Sequence, residues 1–171
     1  MKFRALLAIA FAVLAIPAIA AEPAPTRPIT HEDVWLTTRV GAPEASPDGQ
    51  WIVFSVAEPS YDDDAKSSDL WIVPSDGSQP PRKLTAGKSG ESDVAWSPDS
   101  TRIAFTAKRE GDDENQAYVL RLAHGGDAQR VTNLVGGASA PVWSPDGRKL
   151  LVSTRVYAGS RNDAENRKIR E

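Results

Sequence analysis

Apolar and polar side chains alternate along short stretches of this chain, and turn sequences separate those stretches. In one such stretch Ile103 and Phe105 share one side, while Arg102, Ala104 and Thr106 share the other. A period of two is typical of a β-strand. For the middle of the chain this pattern predicts strands near residues 93–97, 102–107, 117–122 and 129–132.

The sequence that precedes these strands occurs three times. The motif Ser-Pro-Asp starts at residues 46, 97 and 144, so the copies lie 51 and then 47 residues apart. Pro presets φ for the second position of a turn, and Gly suits the position after Asp, which often needs a positive φ. Ser100 replaces that Gly in the middle copy, which predicts a strained or differently shaped turn. The repeated residues are Ser46, Pro47, Asp48 and Gly49, then Trp96, Ser97, Pro98 and Asp99, then Trp143, Ser144, Pro145, Asp146 and Gly147.

Other positions keep the same spacing. Trp71 and Tyr118 are 47 residues apart, and so are Thr85 and Thr132. The resulting unit of four short antiparallel strands is typical of one blade of a β-propeller, whose blades stack face to face. A β-sandwich is the alternative, but it does not explain the repeat. We therefore predict an all-β fold, an incomplete β-propeller of about two and a half four-stranded blades, in which the tryptophans pack between blades.

The first residues have the layout of a secretory signal peptide. Lys2 and Arg4 precede an apolar run over residues 5–16, and small residues follow at 18–20. The run is shorter than the roughly 20 residues of a membrane span. We expect cleavage after residue 20 or 21, export to the periplasm or medium, and no membrane attachment afterwards.

The remaining chain divides by the same reasoning. Thr30 and Asp33 have the spacing of a helix capping box, which predicts a short helix docked by Trp35. The charged segment 159–171 reads as a loop or short solvated helix leading to a further strand, so we expect a truncated chain whose open sheet edge promotes self-association. The predicted divisions are signal peptide 1–20, lead-in 21–38, first blade 39–85, second blade 86–132, start of a third blade 133–158, and charged loop 159–171.

Composition excludes several classes of function. The chain has no cysteine, which excludes disulfides and thiolate metal sites, and its net charge of −3 argues against a nucleic-acid partner. Two acidic loops, 62–64 and 112–114, match no calcium-binding spacing. We expect these loops to be solvated hairpin tips, and we expect neither a metal nor another cofactor.

The Trp-Ser-Pro-Asp-Gly turn, the apolar strand after it and the Leu-Thr ending of each unit resemble the propeller repeat of the prolyl oligopeptidase family and of TolB-like periplasmic proteins. The lead-in at 30–36 and the segment 39–49 resemble the start of secreted acylaminoacyl-peptidase-like and dipeptidyl-aminopeptidase-like members. The resemblance implies a serine peptidase in which the propeller gates access for short peptides and a C-terminal α/β-hydrolase domain performs catalysis.

Catalytic residues of that type are not evident in the sequence. Ser89 and Ser139 each lie two residues after a Gly but lack the closing Gly of a Gly-x-Ser-x-Gly elbow. His31 and His124 fall in the predicted lead-in helix and in a turn. We therefore expect a propeller fragment of a secreted peptidase that lacks its hydrolase domain. The alternatives are a periplasmic TolB-like binding or scaffold module, and a degraded gene product that does not fold stably.

Overall fold

A computed structural model describes residues 27–62, 67–87, 90–122 and 127–170 of the chain. The predicted signal peptide, Ser89 and His124 lie outside these ranges. Within them the chain forms two short helices and eleven strands. In chain order these are α1 (His31–Trp35), β1 (Arg39–Val40), β2 (Glu44–Ala45), β3 (Trp51–Glu58), β4 (Ser67–Pro74), β5 (Arg82–Lys83), β6 (Glu91–Trp96), β7 (Arg102–Ala107), β8 (Gln116–Arg121), β9 (Gln129–Arg130), β10 (Ser139–Trp143), β11 (Leu150–Ser153) and α2 (Asp163–Arg170).

The strands form three separate antiparallel sheets. In the first sheet β1 and β2 both pair with β3, which is followed by β4 and β5. The second sheet has the order β6-β7-β8-β9, and the third consists of β10 and β11. The predicted all-β, incomplete propeller is confirmed, and the four strands predicted for the middle unit lie within one or two residues of the observed ones.

The apolar core lies between the first two sheets. Val53, Leu70 and Ile72 of the first sheet pack against Ile103 and Phe105 of the second, and all five are at most 1% exposed. Burial of such side chains contributes about 1.5–3 kcal/mol each. The first two sheets therefore bury one apolar face each against the other.

Strand β7 is buried on both of its faces. Ile103 and Phe105 face the first sheet, as the alternation predicted, but Ala104 and Thr106 on the other side are also at most 1% exposed. The third sheet lies against that second face. A strand inside a stack of sheets is therefore apolar or small on both sides.

The first strand of each later sheet has an irregularity at the same repeat position. The pairing of β6 with β7 shifts between Ser92 and Ala95, and that of β10 with β11 shifts between Ser139 and Val142. Asp93 and Ala140 within these bulges have φ values of 56° and 46°. Non-glycine residues rarely adopt such values without compensating contacts. In the first sheet the equivalent stretch separates β1 from β2.

The lead-in contains the expected helix. Thr30 caps α1, since its hydroxyl accepts from the Asp33 amide at 3.3 Å and the Asp33 carboxylate accepts from the Thr30 amide at 2.8 Å. Trp35 stacks on His31 and on Tyr61, with ring centroids 5.9 and 6.2 Å apart. Trp35 remains 45% exposed, so it holds the helix by stacking on the surface rather than by burial.

The charged segment after β11 forms α2, the second of the two alternatives predicted for it. The helix is not fully solvated, because Asn166 is 1% exposed. Its side chain accepts from the Tyr157 amide at 2.7 Å and donates to the Arg155 carbonyl at 3.0 Å. No helix in the described ranges is long and apolar enough to cross a membrane.

Candidate functional site

The three repeated turns share one hydrogen-bond arrangement. Each serine donates its hydroxyl to the aspartate two residues later, at 2.5, 2.6 and 2.6 Å. Each serine oxygen also accepts the amide five residues later, at 2.9, 3.0 and 2.9 Å. The serine hydroxyl is the main cause that lowers the pKa of Asp48, Asp99 and Asp146. The motif therefore closes a turn, and its serine and aspartate are already engaged in that task.

Ser100 occupies the left-handed position of its turn. Its φ is 58°, compared with 71° at Gly49 and 66° at Gly147. The turn shape is unchanged, because the closing hydrogen bond measures 2.9 Å there and 2.8 Å in the other two turns. The Ser100 hydroxyl accepts from the amide of Asp48 in the first sheet at 3.0 Å. A glycine could not make this contact, which compensates for the strained backbone.

The tryptophans before the turns connect neighbouring sheets. The indole nitrogen of Trp96 donates to the carbonyl of Glu44 at 3.0 Å, and that of Trp143 donates to the carbonyl of Ala95 at 3.1 Å. Glu44 and Ala95 each lie two residues before the serine of their own turn. The two contacts are therefore the same contact, made once at each junction between sheets.

An arginine reinforces the second junction. The guanidinium carbon of Arg102 lies 4.5 Å from the ring centre of Trp143, and the same group donates to the carbonyl of Gly147 at 2.9 Å. A cation over an indole face is attracted by the ring quadrupole. Arg102 thus makes a cation–π contact with the tryptophan and a hydrogen bond with the turn of the third sheet.

A buried polar cluster joins the end of the first sheet to the start of the second. Glu91 is 2% exposed and lies 3.0 Å from the guanidinium of Arg109. The hydroxyl of Thr85 donates to the other Glu91 oxygen and accepts from the Leu70 amide at 2.9 Å. The Thr of the Leu-Thr ending is therefore the residue through which β4 and β6 are linked.

The cluster continues through the hairpin that follows β7. Arg109 lies 4.7 Å from the ring centre of Tyr118, whose hydroxyl donates to Asp112 at 2.6 Å. The second Asp112 oxygen lies 3.0 Å from Arg130. Burial is the main cause that raises the pKa of Tyr118 to about 12, and the hydrogen bond to Asp112 is the second cause. A buried carboxylate persists where donors and a cation surround it.

The expectation of a solvated acidic loop at 112–114 is thus wrong for Asp112, which is only 7% exposed. Asp62 of the other acidic loop is exposed, and residues 63 and 64 lie outside the described ranges. The sequence did not indicate the ion pair of Glu91 with Arg109. These two residues are 18 positions apart in the chain, and no motif marks either of them. In the described part of the chain, no group of three or more His, Asp or Glu is arranged to hold a metal ion.

The two catalytic candidates inside the described ranges have other partners. The hydroxyl of Ser139 reaches the carbonyl of Ser153 at 3.5 Å, across β10 and β11. In α1, the Nδ1 atom of His31 lies 3.4 Å from the hydroxyl of Tyr61. Neither contact joins a serine to a histidine, which nucleophilic catalysis by a triad requires.

The first strands β2, β6 and β10 lie side by side and form what we call the inner edge. Glu44, Ser92, Asp93 and Ser139 on this edge are exposed. One Asp93 oxygen accepts from the Thr106 hydroxyl and from the Ala140 amide, both at 3.1 Å. The inner edge therefore carries exposed polar side chains where its strands begin, and the bond from Ala140 to Asp93 holds the second and third sheets together there.

Comparison with known proteins matches residues 33–168 to the family model of the TolB beta propeller domain. Among curated proteins, the chain is 34% identical over 137 residues to the uncharacterized peptidase YuxL of Bacillus subtilis, covering 79% of this chain and 20% of that protein. It is 32% identical over 139 residues to dipeptidyl-peptidase 5 of Porphyromonas endodontalis, covering 81% and 19%. Among solved structures, the AtxE2 isopeptidase superposes with a TM-score of 0.61 at 17% identity, covering 75% of this chain and 23% of that one. The chain thus spans about a fifth of the length of the curated relatives it matches.

Proposed function

The chain belongs to the TolB beta propeller domain family, and from that premise we propose that it is the propeller portion of a serine peptidase of the prolyl oligopeptidase type. In the intact enzyme it binds or admits short peptides, and a separate hydrolase domain cleaves them. The observation that carries this proposal is the identity of 34% and 32% to two peptidases over about four fifths of the chain.

The geometry supports a selective rather than a catalytic role. Indole bonds, the Ser100 contact and the Thr85–Glu91–Arg109 cluster fix each sheet against the next. The inner edge presents carboxylates and hydroxyls to solvent, and such groups hydrogen-bond peptide backbone. A rigid stack with a polar inner edge suits a passage that extended peptides enter and folded proteins do not.

Labelling of the gene product with a fluorophosphonate tests the proposal, since this reagent reacts with an activated serine. An antiserum against residues 33–168 should detect, in cells that express the gene, a product several times longer than this chain, and that product should be labelled. The 171-residue chain, purified alone, should stay unlabelled. A product of 18.4 kDa that binds no reagent would contradict the peptidase assignment.

A second candidate function follows from the family model itself, which is named for TolB. In this alternative the chain is a binding or scaffold module without any peptidase partner, and sheets associate between copies through their open edges. The labelling experiment separates the two, because a scaffold module gives an unlabelled product that forms stable oligomers. For either function we propose export, as the predicted signal peptide indicates.

A further inference from the structure

Asp-Gly pairs occur three times in the sequence, at Asp48–Gly49, Asp76–Gly77 and Asp146–Gly147. Each pair lies in a turn, and the three glycines have φ values of 71°, 71° and 66°. In such a pair the backbone nitrogen of the glycine can attack the aspartate side chain, because glycine has no side chain to block the approach and its backbone bends freely. The three pairs share this chemistry, so their surroundings decide which of them reacts.

The first and third pairs are anchored by their own turns and by the second sheet. Each aspartate accepts the hydroxyl of the serine two residues earlier, at 2.5 and 2.6 Å. From the second sheet, Ser100 accepts the Asp48 amide at 3.0 Å, and Arg102 donates to the Gly147 carbonyl at 2.9 Å. To reach the glycine nitrogen, either aspartate side chain has to break its serine bond and rotate within a turn that a second sheet holds.

The middle pair connects β4 to β5 and is held from within its own hairpin. Asp76 accepts from the Ser78 amide at 2.9 Å, and Asp76, Gly77 and Ser78 are all exposed. In the part of the chain that the structure describes, no hydrogen bond from another sheet reaches Asp76 or Gly77. The Gly77 amide donates to the Pro74 carbonyl at 3.2 Å, compared with 2.8 Å for the equivalent bond in the other two turns. The attacking nitrogen and the carboxyl group therefore move most easily in this turn.

We propose that Asp76–Gly77 is a modification site at which isoaspartate forms spontaneously. The glycine nitrogen forms a bond to Cγ of Asp76, and one carboxyl oxygen leaves as water together with the amide hydrogen and the carboxyl proton. Water then opens the resulting succinimide ring at either carbonyl. Opening at the backbone carbonyl leaves the main chain running through the β-carbon, so the hairpin turn gains one carbon while the composition of the chain is unchanged. The inference holds whether or not the peptidase role does.

Incubation of the folded chain in oxygen-18 water tests this site, because every succinimide that opens retains one oxygen from the solvent. Subsequent tryptic digestion in ordinary water places the three pairs in separate peptides, which span residues 40–66, 67–82 and 131–148. By mass spectrometry, we expect the label to accumulate in peptide 67–82 several-fold faster than in the other two. An isoaspartyl methyltransferase should methylate the product in that peptide.

Two variants and one change of solvent separate the effect of the fold from that of the sequence. Asp76→Glu keeps the charge but requires a larger ring, so it should abolish the label in peptide 67–82. Ser46→Ala removes the anchor of the first pair and should raise the label in peptide 40–66. In guanidinium chloride the three pairs should react at similar rates, since only folding distinguishes them.

Far-UV circular dichroism before and after incubation establishes that the chain and its variants keep their strands. Equal labelling of the three peptides in the folded chain would overturn the proposal. Labelling of peptide 67–82 only in guanidinium chloride would also overturn it, because the hairpin would then be protected. The same order of rates with and without denaturant would show that the sequence, and not the anchoring of the turns, selects the site.

Discussion

Replacement of Trp96 tests whether the stack of sheets depends on the tryptophan before each turn. Trp96 is half-buried against the core between the first two sheets, and its indole N–H bonds the Glu44 carbonyl at 3.0 Å. Removal of a large aromatic side chain from a core costs about 3–5 kcal/mol. Because Trp96 is partly exposed, we expect Trp96→Ala to lower the free energy of unfolding by about 3 kcal/mol. Trp96→Phe keeps most of the packing and loses the hydrogen bond, which costs about 1 kcal/mol.

The measurement is urea unfolding followed by far-UV circular dichroism. This signal reports on the strands and does not depend on tryptophan fluorescence, which the substitution changes. Trp35→Ala is the matched control, because Trp35 stacks on the surface of the lead-in and its removal should cost about 1 kcal/mol or less. A loss below about 0.5 kcal/mol for Trp96→Ala, the size of a surface substitution, would refute the packing assigned to this residue.

Three further predictions concern single contacts. Ser100→Ala should lower the free energy of unfolding by about 1 kcal/mol, because the hydrogen bond between sheets is lost. Ser100→Gly should be nearly neutral, because relief of the positive φ offsets that loss. Urea unfolding measures both variants, and equal effects would contradict the role assigned to the Ser100 hydroxyl. Folding raises the pKa of Tyr118 from its ordinary value of 10.0 to about 12. The stability that this side chain contributes is therefore complete below pH 10 and is lost as the pH rises to about 12. Unfolding free energies measured across that range should show this loss, and Tyr118→Phe should remove its tyrosine component. Glu91→Gln should lower the free energy of unfolding by about 2 kcal/mol, because Arg109 loses its charged partner. Glu110 is exposed, so Glu110→Gln should change the urea midpoint little. Similar midpoints for both variants would contradict a stabilising role of the buried cluster.

The parts of the fold that depend on neighbours in sequence could be predicted, and the parts that depend on neighbouring sheets could not. The Ser-Pro-Asp turns follow from local chemistry, so their three positions and the strands after them were visible in the sequence. The positive φ of Asp93 and Ala140 was not, because a hydrogen bond between two sheets compensates it. The burial of Asp112 depends on Arg130, a cation 18 residues away that no local pattern indicates.

The indole contact between sheets has a consequence for how such repeats diverge. Its acceptor is a main-chain carbonyl, which every residue possesses, so the side chain at that position is free to vary. Glu44 and Ala95 differ in charge, size and polarity, yet they accept the same bond. A substitution on the accepting strand therefore leaves the bond in place, whereas the donating position requires an indole N–H. Units that recognise each other through one side chain and one backbone atom tolerate extensive drift.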